Sequence, residues 1–130
     1  MMLRMGMLVT ALAAVLSAPV EAFEFTDAPH CRANEIPLGE PARFTAKRTA
    51  HDIEVVVLAN FGCGTTAGRP KVVERGAEIV LSAETILPGH PTPACKCTRT
   101  LVYRFETRLM GPLKIRFLKD SLVEGEAEVP

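Results

Sequence analysis

Between Cys95 and Leu109 the chain alternates with a period of two. Cys95, Cys97, Arg99, Leu101, Tyr103, Phe105, Thr107 and Leu109 form one set; Lys96, Thr98, Thr100, Val102, Arg104, Glu106 and Arg108 form the other. Successive side chains of a strand point to opposite faces, so this spacing predicts a half-buried strand with two cysteines on its core face. Other stretches share the pattern. Residues 51–60 carry Ile53, Val55 and Val57 on one face and Val56 and Leu58 on the other. That two-sided apolarity is the mark of a central strand. Ile79, Leu81 and Ala83 oppose Glu78, Ser82 and Glu84, while Leu113, Ile115 and Phe117 alternate with Lys114, Arg116 and Leu118. Val123, Ala127 and Val129 face away from Glu124, Glu126 and Glu128. Weaker strands are expected at 23–26, 42–47 and 71–74.

Between these runs lie turn signals: the Gly-rich 60–70 segment, Arg75-Gly76, the Leu87–Ala94 stretch LPGHPTPA, and Met110-Gly111-Pro112. If both strands flanking 110–112 bury odd-numbered residues, a three-residue hairpin loop keeps their register and sets Glu106 opposite Arg116. Seven or eight short strands at regular spacing, without an amphipathic helix, predict an all-β, antiparallel immunoglobulin-like sandwich; a small closed barrel is the alternative.

The N-terminus changes the picture of compartment. Arg4, an apolar run over Leu8–Leu16 and the small-residue pattern Val20-Glu21-Ala22 read as a secretory signal peptide over residues 1–22, cleaved after Ala22. The run is too short for a span of about 20 apolar residues. A single domain over 23–130, periplasmic or extracellular and without a transmembrane segment, is the expectation. Cleavage removes Arg4 and Glu21, so the formal charge stays at zero and advertises no nucleic-acid partner. Four cysteines at 31, 63, 95 and 97 remain, an even count that in a small exported domain reads as two disulfides. A Cys95–Cys97 bridge would close too tight a ring, so each should reach Cys31 or Cys63; which goes where is open.

The run Asn60–Cys63, then Cys95-x-Cys97 entering an alternating Tyr/Phe strand, then a Gly turn and a closing strand pair, resembles small bacterial envelope domains of unknown function. The resemblance covers roughly the second half of the mature chain. It implies an immunoglobulin-like sandwich in the envelope and brings no reaction with it.

Candidate chemistry is sparse. His90 with Cys95 and Cys97 offers the soft donors that copper or zinc prefers, but an oxidising compartment and the lack of a zinc-finger spacing favour structural disulfides and no cofactor. Cys-x-Cys on a strand lacks the helix N-terminus that activates a redox Cys-x-x-Cys pair. Ser82 and Ser121 sit in no G-x-S-x-G elbow, and Gly62-Cys63-Gly64 lacks a phosphate-loop lysine. The reading is therefore a non-enzyme, binding or structural, in the envelope. Its candidate surfaces are the basic hairpin face of Arg104, Arg108, Lys114 and Arg116, fit for an anionic envelope polymer or an envelope protein, and the rigid loop with Pro88, His90 and Pro91. Inhibition of a secreted hydrolase through that loop is a further alternative, as is periplasmic metal handling. A thiol titration of the folded exported protein is expected to find no reactive thiol; two or more thiols with stoichiometric copper or zinc uptake would favour the metal reading.

Overall fold

The structure, a computed structural model, describes residues 16–28, 32–33, 35–87 and 95–130. Ten strands are formed among them, more than the seven or eight expected from sequence: β1 Ser17–Pro19, β2 Phe23–Asp27, β3 Arg32–Ala33, β4 Arg43–Arg48, β5 Asp52–Gly62, β6 Thr66–Arg75, β7 Glu78–Ile86, β8 Lys96–Glu106, β9 Leu113–Lys119 and β10 Leu122–Val129. They build two sheets. One has the order β1-β6-β7-β9-β10; in the other, β8 is flanked by β5 and then β4 on one side and by β2 and β3 on the other. All neighbours are antiparallel except β7 and β9, which run parallel from Glu78↔Lys114 to Ala83↔Lys119.

The alternating residues account for the layers. From one sheet, Ile53, Val55, Val57, Ala59 and Phe61 of β5 and Leu101, Tyr103 and Phe105 of β8 point inward. From the other come Val72, Ile79, Leu81, Ala83, Leu113, Ile115 and Phe117. Each large aliphatic or aromatic side chain taken from water contributes about 1.5–3 kcal/mol. β5 is a central strand, as its two apolar faces foretold, paired with β4 on one side and β8 on the other. The Tyr103 hydroxyl donates to Ser82 O at 2.8 Å, joining the sheets through the core. Burial, with the charge of Asp27 adding to it, raises this phenol far above its ordinary pKa.

The expected hairpin across 110–112 does not form. β8 and β9 belong to different sheets, and the segment 107–112 crosses between them. Arg48 of β4 holds that crossing, donating to Leu109 O and, at 2.6 Å, to Gly111 O. Two strands burying odd residues satisfy the same parity whether they lie side by side or face to face across a core, so parity alone could not separate the two. Glu106 stands opposite Asp52 rather than Arg116. β4 and β5 form a hairpin across residues 49–51; two others are β6–β7, turning at Gly76 with φ +60°, and β9–β10, turning at Asp120 and Ser121 with φ 49° and 68°. Two successive left-handed residues make the latter a type I′ turn, whose twist suits a two-residue hairpin.

Bulges in β6 and β10 shape the two sides of the sandwich. In β6 the register shifts between Gly68 and Lys71, so Ala67 faces inward before the bulge and Val72 after it. In β10 the shift falls at Gly125, where a Cβ would lie 2.9 Å from Ala42 O. That close approach lets Ala42 N donate to Glu124 O at 2.8 Å, seating β10 against the entry to β4. It also turns Val123 outward, away from the face shared by Ala127 and Val129 in the simple alternation.

One member of the inward set on β8 is charged. Arg99 is 6% exposed. Its Nε meets Asp27 Oδ1 at 2.8 Å and Oδ2 at 3.0 Å, Nη1 donates to Thr65 O at 2.9 Å, and Nη2 to Ala28 O at 3.1 Å. Asp27 Oδ2 also accepts from Ala67 N at 3.1 Å, which ties β2 and β8 to β6. Removing one partner strands a buried charge, so Arg99→Ala is expected to cost about 3–5 kcal/mol in urea unfolding, and the double replacement Arg99→Met with Asp27→Leu to recover most of it. A loss below about 1 kcal/mol for the single change would contradict this placement.

Candidate functional site

The cysteines come first, because the chemistry of the chain depends on their state. Cys63, in the turn between β5 and β6, is bonded to Cys95 just ahead of β8, with Cα atoms 5.3 Å apart. Cys63 N also donates to Cys95 O at 2.9 Å. Cys97 is disulfide-bonded too; Cys31 lies outside the described residues, as do Pro88, His90 and Pro91. Only one sulfur of the Cys-x-Cys pair is interior. Cys97 is buried, whereas Cys95 is exposed, since β8 begins at Lys96 and alternation enforces burial only within the strand. With both sulfurs in bridges, Cys95 and Cys97 offer a metal no thiolate. Among the described residues, no group of three or more His, Cys, Asp or Glu is placed to hold a metal ion.

The four basic residues expected on one hairpin face are divided between the two sheets and the segment that crosses between them. Arg104, on β8, pairs with Glu54 and lies 3.9 Å from Glu24; the hydrogen bond to Glu54, then that group's charge, raises its pKa further above the ordinary value. Lys114 and Arg116, on β9, meet Glu126 at 3.4 and 2.9 Å, and Arg116 also meets Glu78 at 3.2 Å. Arg108 sits in the crossing segment beside a cavity. Register explains the pairing. On one sheet the outward row runs Lys47, Glu54, Arg104, Glu24; on the other it runs Arg75, Glu78, Lys114, Glu128. Alternating signs across four strands favour each neighbour in turn. A reading confined to one segment sees only the basic members of these rows.

Two concavities are lined by described residues. A cavity of about 1200 Å³ lies where β1 gives way to β2, lined by Val20, Phe23, His51, Asp52, Glu74 and Arg108 among others. A smaller one, about 400 Å³, is bordered by Leu38, Asn60, Lys96 and Lys119. Lys119 is engaged in the framework: its Nζ donates to Asn60 O at 2.7 Å, pairs with Glu124 at 3.5 Å and stands 5.3 Å above the Phe61 ring. Nearby, the Thr98 hydroxyl donates to Asn60 Oδ1 at 2.7 Å and accepts from Ile36 N at 3.1 Å, while Asn60 Nδ2 donates to Ile36 O at 2.9 Å. This triangle explains how Thr98, outward on β8, is buried: the segment at Ile36 lies over it.

Sequence reasoning missed these polar clusters. The signal for Arg99 was present, a lone cation in an otherwise apolar set, but its partner lay 72 positions away. No family model, curated protein or solved structure matches this chain.

Asp120 supplies a pH handle. It accepts from Thr85 N at 2.7 Å and from the Thr85 hydroxyl at 2.6 Å, pinning the β9–β10 turn to the end of β7. Burial acts to raise its pKa, but the two hydrogen bonds from Thr85 and the charge of Lys119 outweigh it and hold the carboxyl below its ordinary value of 3.8. A carboxylate depressed in the fold stabilises it above the unfolded pKa, and that stabilisation fades as pH falls through the folded pKa. The stability gap between the protein and Asp120→Asn, which tolerates the same left-handed backbone, is therefore expected to be widest at neutral pH and to narrow as pH falls below 3.8 in urea titrations at each pH; a gap independent of pH would contradict it.

Proposed function

We propose that this chain is an exported, non-catalytic module of the cell envelope, an immunoglobulin-like sandwich whose work is to bind a partner or to serve as structure. The observation that carries the reading is the state of the sulfur. Cys63 and Cys95 are bridged and Cys97 is bridged as well, which fits a compartment that oxidises thiols and ill fits the cytoplasm. A second observation agrees with it. The chain bends at Ala22, between β1 and β2, and β2 starts at Phe23, the residue that cleavage after Ala22 would make the new N-terminus. No helix among the described residues is long and apolar enough to cross a membrane.

The nature of the partner follows from what the surface offers. An anionic polymer wants a contiguous field of unpaired cations, and Arg104, Lys114 and Arg116 stand on two sheets among their acids. A protein partner is the better fit. The metal-handling alternative is weakened, since it needs the two sulfurs that the bridges consume.

Fractionation of cells producing the full chain tests this reading. The protein is expected in the exported fraction, beginning at Phe23, with Cys63 and Cys95 recovered in one cross-linked peptide under non-reducing digestion. Full-length protein in the cytoplasmic fraction with alkylatable Cys63 and Cys95 would contradict it.

A further inference from the structure

We propose that the outer edge of β6, across Val72–Arg75, is a strand-acceptor site that β1 covers in the precursor and that an extended segment of another envelope protein covers after maturation. The inference rests on the preceding reading of the chain as an exported binding module and names the surface that reading requires.

β1 shows that the edge accepts a strand. Ser17, Ala18 and Pro19 pair antiparallel with Arg75, Glu74 and Val73, and Val20 N donates to Val72 O at 2.8 Å. The side chains of β1 are exposed, so its seat rests on backbone pairing; only Val20, next along, is half-buried and packs on the core. Val20 packs against the core cluster that includes Val72, so a β-branched side chain opposite Val72 has an apolar surface to cover.

Cleavage after Ala22 detaches β1 and leaves β2 in place. β2 keeps five residue pairs with β8, and Asp27 keeps Arg99 and Ala67 N. The sandwich therefore survives while the backbone groups of Val72 and Glu74, which face β1, lose their partner; those of Val73 and Arg75 face β7 and keep theirs. A bare sheet edge invites another strand. The bulge at Gly68–Lys71, with Arg69 at φ 46° and Pro70 lacking an N–H, ends the acceptor at Lys71, so the site is short and has a defined register.

Charge chooses between a second copy and a different chain. In antiparallel registers that keep both cores on one side, centring two copies on Val73 sets Lys71 against Arg75, and centring them on Glu74 sets Glu74 against itself. Like charges directly opposite are unfavourable. A foreign strand escapes this. Its fitting pattern is a β-branched residue opposite Val72, a small residue opposite Glu74 as Ala18 is now, and acidic residues opposite Arg75 and Lys71. Affinity in such strand addition comes from the backbone and selectivity from alternate side chains.

The test uses the protein recovered from the exported fraction, its start point read by intact mass, and three synthetic peptides: residues 16–22, the same with Ser17→Glu, and the same with Val20→Asp. Amide exchange of Val72 and Glu74, the two residues of this stretch whose backbone groups face β1 rather than β7, is followed by NMR. Fast exchange in the mature protein is expected, slowed saturably by about tenfold or more with the Ser17→Glu peptide, less with the unaltered one and not with Val20→Asp. Slow exchange before any peptide is added, no saturable slowing, or equal slowing by the Val20→Asp peptide overturns the proposal. So does a concentration-dependent dimer that protects the same amides, which would give the edge to a second copy. A retained leader overturns the export reading as well, whereas failure of the peptides on a correctly processed chain overturns the acceptor edge alone.

Discussion

A guanidinium group held between two sheets must find an oxygen for its donors or lose the solvation that water gave it. Arg99 finds them in Asp27 and Ala28 at the end of β2 and in Thr65 ahead of β6, two segments that meet β8 only when the sandwich is assembled. Buried ion pairs add little net stability over an apolar equivalent, but leaving one half unpaired is costly. The consequence is selectivity. Arrangements that separate β2 from β6, or shift β2 along β8, leave a charge without its partner, so the pair acts against misassembled sheets more than it strengthens the correct one. Asp27 is the last residue of β2, and its second oxygen accepts Ala67 N, so the pair closes one side of the sandwich as Ala42 and Glu124 close the other.

The layered, all-β character was legible because burial on one face imposes a period of two, and Ile53–Val57, Ile79–Ala83, Leu101–Phe105 and Leu113–Phe117 all keep it. The pairing between strands was not. Odd residues on β8 and β9 are compatible with a hairpin and with opposing sheets, and Gly111, with φ +75°, serves a crossing as readily as a tight turn. Bulges were also invisible in outline: Gly125 is required by its approach to Ala42, a residue more than 80 positions away, and it is this bulge that expels Val123 to the surface. The basic cluster misled for a related reason. Arg104 and Arg116 gain their acids from neighbouring strands, Glu54 and Glu126 among them, and a linear reading has no access to those neighbours.

Sulfur and charge together narrow the function. Bridged cysteines remove the soft donors on which metal handling would depend, and alternating charge rows neutralise the faces on which an anionic polymer would settle. What the sheets leave is an edge. Residues 17–20 fill that edge in the full chain, so on the reading proposed above one cleavage after Ala22 would both complete export and uncover this backbone. The buried pair at the end of β2 makes this separation workable, because the strand that stays behind is anchored independently of the strand that departs.

The most direct measurement of that anchoring is the Nε proton of Arg99, observed by ¹⁵N NMR in the mature protein. Enclosed between the sheets and shared by both oxygens of Asp27, it is predicted to exchange slowly with water and to shift when Asp27 alone is replaced by Asn. A rapidly exchanging Nε proton, indistinguishable from those of the exposed arginines and indifferent to that replacement, would contradict the account.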